Sequence, residues 1–209
     1  MTKEMGIYPL HQILVPNPPV EEVPAATDPA VSERAVIGVG SIIIGAVCIA
    51  DDVFVGFYNL IRADSSPPFS IGARSNIQDF VAIHCHPAQY VEVEGKRYGV
   101  YVEEKVSILH HAVVHGPLYI GRNTFIGQSA SINGAVIEQD CVIMHGAVVT
   151  GLVRIAAGRY VAPGQSVFTQ EQADRLPPVP ERYRQLNGET VDHYVRLGKS
   201  YAKQGLLTL

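Results

Sequence analysis

The sequence predicts an all-β solenoid: a parallel β-helix of six-residue repeats, with a C-terminal α-helix packed along it. Three observations carry this prediction. Aliphatic residues recur at six-residue intervals at Ile37, Ile43, Ile49, Val55 and Ile61, then at Ile71, Ile77 and Ile83, and again at Val102, Ile108, Val114, Ile120, Ile126 and Ile132. After a one-residue slip the series closes with Ile137, Ile143, Val149, Ile155, Val161 and Val167. Two positions before each aliphatic the residue is usually small or β-branched, as at Ser41, Val53, Ser75, Val81, Ala112, Thr124 and Ala147. Alternation over that interval turns both side chains inward and the residue between them outward, which is the strand signature. Glycine often follows the aliphatic (Gly38, Gly56, Gly72, Gly121, Gly127), as tight corners require. A sandwich with coincidental spacing would not hold twenty aliphatics in one register.

Taken in order, residues 1–33 are proline-rich and aperiodic and read as an extended strap, and 34–169 form the coil. Two insertions break its rhythm. One contains Ser65-Ser66-Pro67-Pro68; the other runs from Cys85 to Gly99 and holds a small hairpin, Val91–Tyr98, turning at Glu94-Gly95. Loops on a rigid solenoid are natural places to build a site. Residues 170–209 are helical: a short helix over Gln170–Leu176, stopped by Pro177-Pro178, then a longer one over Glu181–Gln204, interrupted near Asn187-Gly188. Val191, Tyr194, Val195 and Leu197 give the longer helix an apolar face to lay along the coil.

Bulk properties narrow the function. With 47% hydrophobic and 17% charged residues the chain is a folded protein, and a net charge of −4 offers nothing to nucleic acid or an anionic membrane. Cys48, Cys85 and Cys141 are too few and too scattered for a disulfide framework. The first fifteen residues lack a basic start followed by an apolar run, and no apolar stretch is long enough to span a membrane, so a cytoplasmic protein is expected.

Histidine placement is the chemical signal. Three repeats per coil stack every third repeat about 4.8 Å above the one below. The positions just after Ile61, Ile83, Val114 and Ile132 then form one outward column: Arg62, His84, His115 and Asn133. Two stacked imidazoles at that spacing can share a metal through bonds of about 2.0–2.1 Å. A second column, around the corner, holds Asp79, His110, Gln128 and His145. His110 reaches the His84/His115 pair more readily from a neighbouring subunit than from its own, which points to a symmetric trimer with three sites at its interfaces. A histidine alone on a strand is usually a structural hydrogen bonder, the default for His86, His111, His145 and His193. Cys85 lies between His84 and His86, but adjacent strand side chains point to opposite faces, so it is expected to face away.

At these residues the chain resembles the γ-class carbonic anhydrases. Ile61-Arg62-Ala63-Asp64 is similar to that family's Arg-x-Asp segment, Arg74-Ser75-Asn76-Ile77-Gln78-Asp79 with His84 to its second motif, and Ser107-Ile108-Leu109-His110 through His115-Gly116-Pro117 to its third. The similarity covers most of residues 30–180. It implies a left-handed coil with three flat faces and a homotrimer in which His84 and His115 of one chain and His110 of the next hold Zn²⁺, with Fe²⁺ or Co²⁺ as alternatives. It also implies reversible hydration of carbon dioxide to bicarbonate by a metal-bound hydroxide. In that scheme Gln78 orients the water, Arg62 and Asp64 pair across the subunit interface, Asp79 joins that pair or orients a histidine, and Asn76 helps position the site.

The departures fall on proton transfer. Ser65 and Pro87 stand where well-studied members carry acidic groups, and Tyr194 is the nearest match by spacing to an asparagine of the C-terminal helix. His86, with an imidazole suited to relaying protons near neutrality, is then the candidate shuttle. Two rival readings remain at the sequence level. One is a noncatalytic scaffold like the anhydrase-like domain of a carboxysome assembly protein. The other is a hexapeptide acyltransferase, which needs one catalytic histidine and a coenzyme A groove rather than three metal-spaced histidines.

Overall fold

A computed structural model describes residues 13–204; the first twelve positions of the expected strap lie outside the described residues. The chain forms a left-handed parallel β-helix of triangular section. One face is a seven-stranded sheet, from Val36–Ile37 to Tyr160–Val161. The other two belong to one twelve-stranded sheet, because long strands such as Val113–Ile120 and Val148–Ile155 bend around the shared corner. All twenty aliphatics of the repeat point into the coil, each at most 1% exposed. That stacked interior supplies most of the fold's stabilisation, since each buried Val or Ile side chain is worth about 1.5–3 kcal/mol against exposure.

The slip after Ile132 has a visible cause. Strand Ser131–Ile137 turns the corner at Gly134 with one residue fewer than Val113–Ile120, which carries Gly116-Pro117 there, and the pairing register shifts between them. The predicted hairpin is present: Val91–Val93 pairs antiparallel with Lys96–Tyr98. Its turn residues Glu94 and Gly95 both have positive φ (51° and 74°), the geometry of a two-residue turn that matches strand twist.

Three expectations change. The strap is tied into the solenoid, with Ile13–Val15 pairing Ile42–Ile44 and Ala30–Val31 pairing Cys48–Ile49. The short helix, α1, spans Gln170–Asp174 behind a capping box of Thr169 and Gln172. The long helix, α2, spans Leu186–Lys203 without a break at Asn187-Gly188; the interruption falls earlier, after a 3₁₀ turn at Glu181–Tyr183. The reason is tertiary. Asn187 is buried, and its amide donates to Lys105 O (2.8 Å) and Asn123 Oδ1 (3.0 Å), so it docks the first turn on the coil rather than breaking the helix.

The C-terminal segment covers the seven-stranded face. Tyr194, Leu197 and Tyr201 pack on Val36 and Phe54, while Val179, Tyr183 and Leu186 pack on Phe125, Val142 and Tyr160. Between these apolar groups the same outward column carries Asn76 and Ser107, buried and joined by a 2.8 Å hydrogen bond.

Candidate metal centre

Strand Ala82–Cys85 lies parallel to Val113–Ile120 with His84 directly opposite His115, and Arg62 and Asn133 occupy the same column in the flanking rungs. The rings of His84 and His115 are 5.4 Å apart at 70°. Alternation buries Cys85 in the coil, where burial pushes its thiol up to about 12, so no thiolate competes as a ligand. The residue after Cys85 is outward again, and the His86 ring lies 4.5 Å from that of His115.

The protonation pattern at His115 follows from its neighbours. Its Nδ1 lies 2.9 Å from Gly116 O, which can only accept, so Nδ1 carries the hydrogen and the Nε2 lone pair is free. Burial holds its pKa below the ordinary 6.5, and His86 and His84 push the same way, keeping the ring neutral near pH 7. Across the column His84 Nε2 lies 3.3 Å from Asp64 Oδ1, and Asp64 Oδ2 lies 3.4 Å from Arg62 Nη1. Within the single chain Arg62 and Asp64 already form an ion pair. The two residues alternate on one strand edge and reach each other without a partner.

Around the corner, Asp79 and His110 are rung neighbours. His110 Nδ1 lies 3.3 Å from Asp79 Oδ2 and 3.2 Å from the Asp79 backbone N–H, while Asp79 Oδ1 accepts from Phe57 N–H at 2.9 Å. The two contacts at Nδ1 favour opposite tautomers. The carboxylate favours Nδ1–H, which frees Nε2 for a metal; the amide favours Nε2–H, which blocks it. Burial and Asp79 together raise the pKa of the Tyr194 phenol on α2. Gln78 Nε2 donates to Asn76 Oδ1 (3.0 Å), and Asn76 in turn donates to Ser107, a buried relay missed at the sequence level. The signal for Ser107 was there: it occupies the Asn76 column one rung on.

One chain thus gathers His84, His86, His115, Arg62 and Asp64 on one face, and Asp79 and His110 at the adjoining corner. Among the described residues no three His, Cys, Asp or Glu side chains of a single chain are gathered closely enough to hold a metal ion. The donor chemistry fits a borderline divalent ion: imidazoles, that of His115 with its metal-binding nitrogen already free and that of His110 with a carboxylate behind it.

No protein-family model matches the chain. It is 34% identical over 197 residues to the carbonic anhydrase of Methanosarcina thermophila, covering 88% of this chain and 79% of that protein. It is 36% identical over 168 residues to the carboxysome assembly protein CcmM of a Nostoc species, covering 80% of this chain but 30% of that longer protein. The fold is shared with a hexapeptide transferase family protein of Anaplasma phagocytophilum at a TM-score of 0.55 and 21% identity, covering 90% and 98% of the two chains. With the coil, the paired histidine column and a relative matched over most of both lengths, the chain belongs to the γ-class carbonic anhydrase family.

Proposed function

We propose that this chain is a carbonic anhydrase that converts carbon dioxide and water to bicarbonate and a proton, working as a homotrimer in the cytoplasm. The observation that carries the proposal is the register-matched pair His84 and His115, with His110 on the adjoining corner, outside the pair's reach as a preformed set. His84 and His115 of one chain and His110 of the next would hold the metal, Zn²⁺ or alternatively Fe²⁺ or Co²⁺. Bound there, such an ion supplies Lewis acidity that lets water lose a proton near neutral pH.

The remaining groups follow from their contacts. In this reading the Asp79 carboxylate, against the pull of its own backbone amide, would favour the His110 tautomer with Nε2 free. Asn76, anchored to Ser107, holds the Gln78 amide nitrogen and leaves the Gln78 carbonyl oxygen to orient water. Arg62 pairs with Asp64, whose other carboxylate oxygen lies beside His84 and steadies that ring. Each turnover releases one proton, and His86, in ring contact with His115 and exposed, relays it to buffer. Free thiols at Cys48, Cys85 and Cys141 suit a reducing compartment, and among the described residues no helix is long and apolar enough to cross a membrane.

Stopped-flow hydration on protein assayed for metal tests the proposal. Rates that scale with bound metal and vanish in His110→Ala are expected. Full metal with no hydration in strong buffer would instead favour an assembly role. Ser65 and Pro87 at the acidic positions, with the resemblance to a carboxysome assembly protein, are the observations behind that second reading.

A further inference from the structure

A groove of about 340 Å³ runs beside α2, over the first two rungs of the seven-stranded face. Its floor is Val36, Val53 and Phe54 of the coil, and its wall is Tyr194, Val195 and Ala202 of the helix. The helix itself is already seated. The Tyr194 ring lies 5.1 Å from that of Phe54, and a Cβ at Gly198 would stand 3.5 Å from Phe54 Cδ2, an ordinary contact. The groove is therefore a trough alongside the packed helix. Small-molecule sites commonly take this form, roughly 300–1,000 Å³ of mainly apolar wall with a few charged or polar groups. It also stands apart from the metal histidines. Asp52 turns into strand Phe54–Val55, whereas His110 follows strand Ser107–Ile108 of the same parallel sheet, so groove and His110 lie on opposite edges of the face.

Charge selects the class of ligand. The charged side chains lining the groove are Glu33, Arg34, Asp52, Lys199 and Lys203. Arg34 is committed to Asp51 and Asp52, at 3.0 and 3.3 Å. Lys203 stands in the last turn of α2, where an ammonium answers the helix's free carbonyls. Lys199, one turn earlier, is exposed and forms no ion pair among the described residues. Two ammonium groups thus face the single remaining carboxylate of Glu33. A lysine stem can lie on the apolar wall while its ammonium reaches a bound anion. We propose that this groove binds an amphipathic carboxylate, with its aliphatic body on Val36, Val53 and Phe54 and its carboxylate on Lys199. The groove would bind it whether or not the chain hydrates carbon dioxide.

The test is calorimetric titration of the full chain with decanoate, decanol and decyltrimethylammonium, each below its micelle concentration. Decanoate is expected to bind once per chain, about tenfold more tightly than decanol, with the cation weakest. Lys199→Gln should remove that preference and leave decanol binding unchanged. Ala202→Phe fills the groove from an exposed helix position, and should abolish binding of both with an unchanged circular dichroism spectrum. Equal affinity for decanoate and decanol, or undiminished decanoate binding in Lys199→Gln, would overturn the carboxylate assignment. Decanoate binding that survives Ala202→Phe, or no binding of any of the three, would overturn the groove as the site. A sedimenting mass that falls in Ala202→Phe would assign the groove to a second copy of this chain and overturn the ligand.

Discussion

Asp79 sits between a backbone amide and an imidazole, and its contact with His110 Nδ1 bears on which ring nitrogen carries the hydrogen. Asp79→Asn keeps the Oδ1 contact to Phe57 N–H but can turn an amide hydrogen toward His110 Nδ1, favouring the tautomer that blocks Nε2. Zinc affinity, measured by competition with a chelator, should weaken about 10- to 100-fold with the fold intact. His86 carries a separate prediction. If it relays the proton, His86→Ala should lower hydration roughly tenfold or more at low buffer, with imidazole restoring the rate and zinc content unchanged. Unchanged hydration at low buffer would rule it out as the shuttle. The tautomers behind these arguments could not be read from the sequence, because they depend on which carbonyl or carboxylate a ring nitrogen meets. Gly116 O beneath His115 and Asp64 beside His84 appear only with the coil closed.

At the scale of elements, legibility tracked periodicity. The His84/His115 pairing was readable because inward aliphatics every six residues leave one choice of rung and one choice of outward position. The hairpin at Glu94-Gly95 was readable because its turn residues suit positive φ. Corners and tertiary docking were not. Tyr58 and Phe80 lie where the chain turns, outside the inward–outward alternation, so their stacking with His111 left no mark on the pattern. The interruption before α2 was placed too late because Asn187-Gly188 resembles a breaker while the Asn187 side chain is a buried anchor. Asn187→Ala would leave Lys105 O and Asn123 Oδ1 without that donor, a cost of about 1–3 kcal/mol. A lowered thermal midpoint is expected, with metal affinity per folded molecule unchanged.

At the scale of the whole molecule, a rigid solenoid presents two incomplete half-sites separated by a few residues of surface. In the proposed trimer, cyclic symmetry would make complete sites of them, each drawing on two chains. A centre shared in that way is consistent with His84, His115 and His110 forming no metal-holding group within one chain among the described residues. It also ties chemistry to concentration, since dilution that separates the chains should release metal and abolish hydration together.

The most direct test mixes two inactive chains. His110→Ala retains His84 and His115, and His84→Ala retains His110, so alone neither should bind metal or hydrate carbon dioxide. Co-folded in equal amounts, they should form trimers in which about one interface in four pairs an intact histidine couple with an intact His110. Metal content and hydration should both recover to roughly that fraction of wild type. No recovery of either in mixed trimers, or full metal binding by His110→Ala alone, would contradict a centre shared between chains.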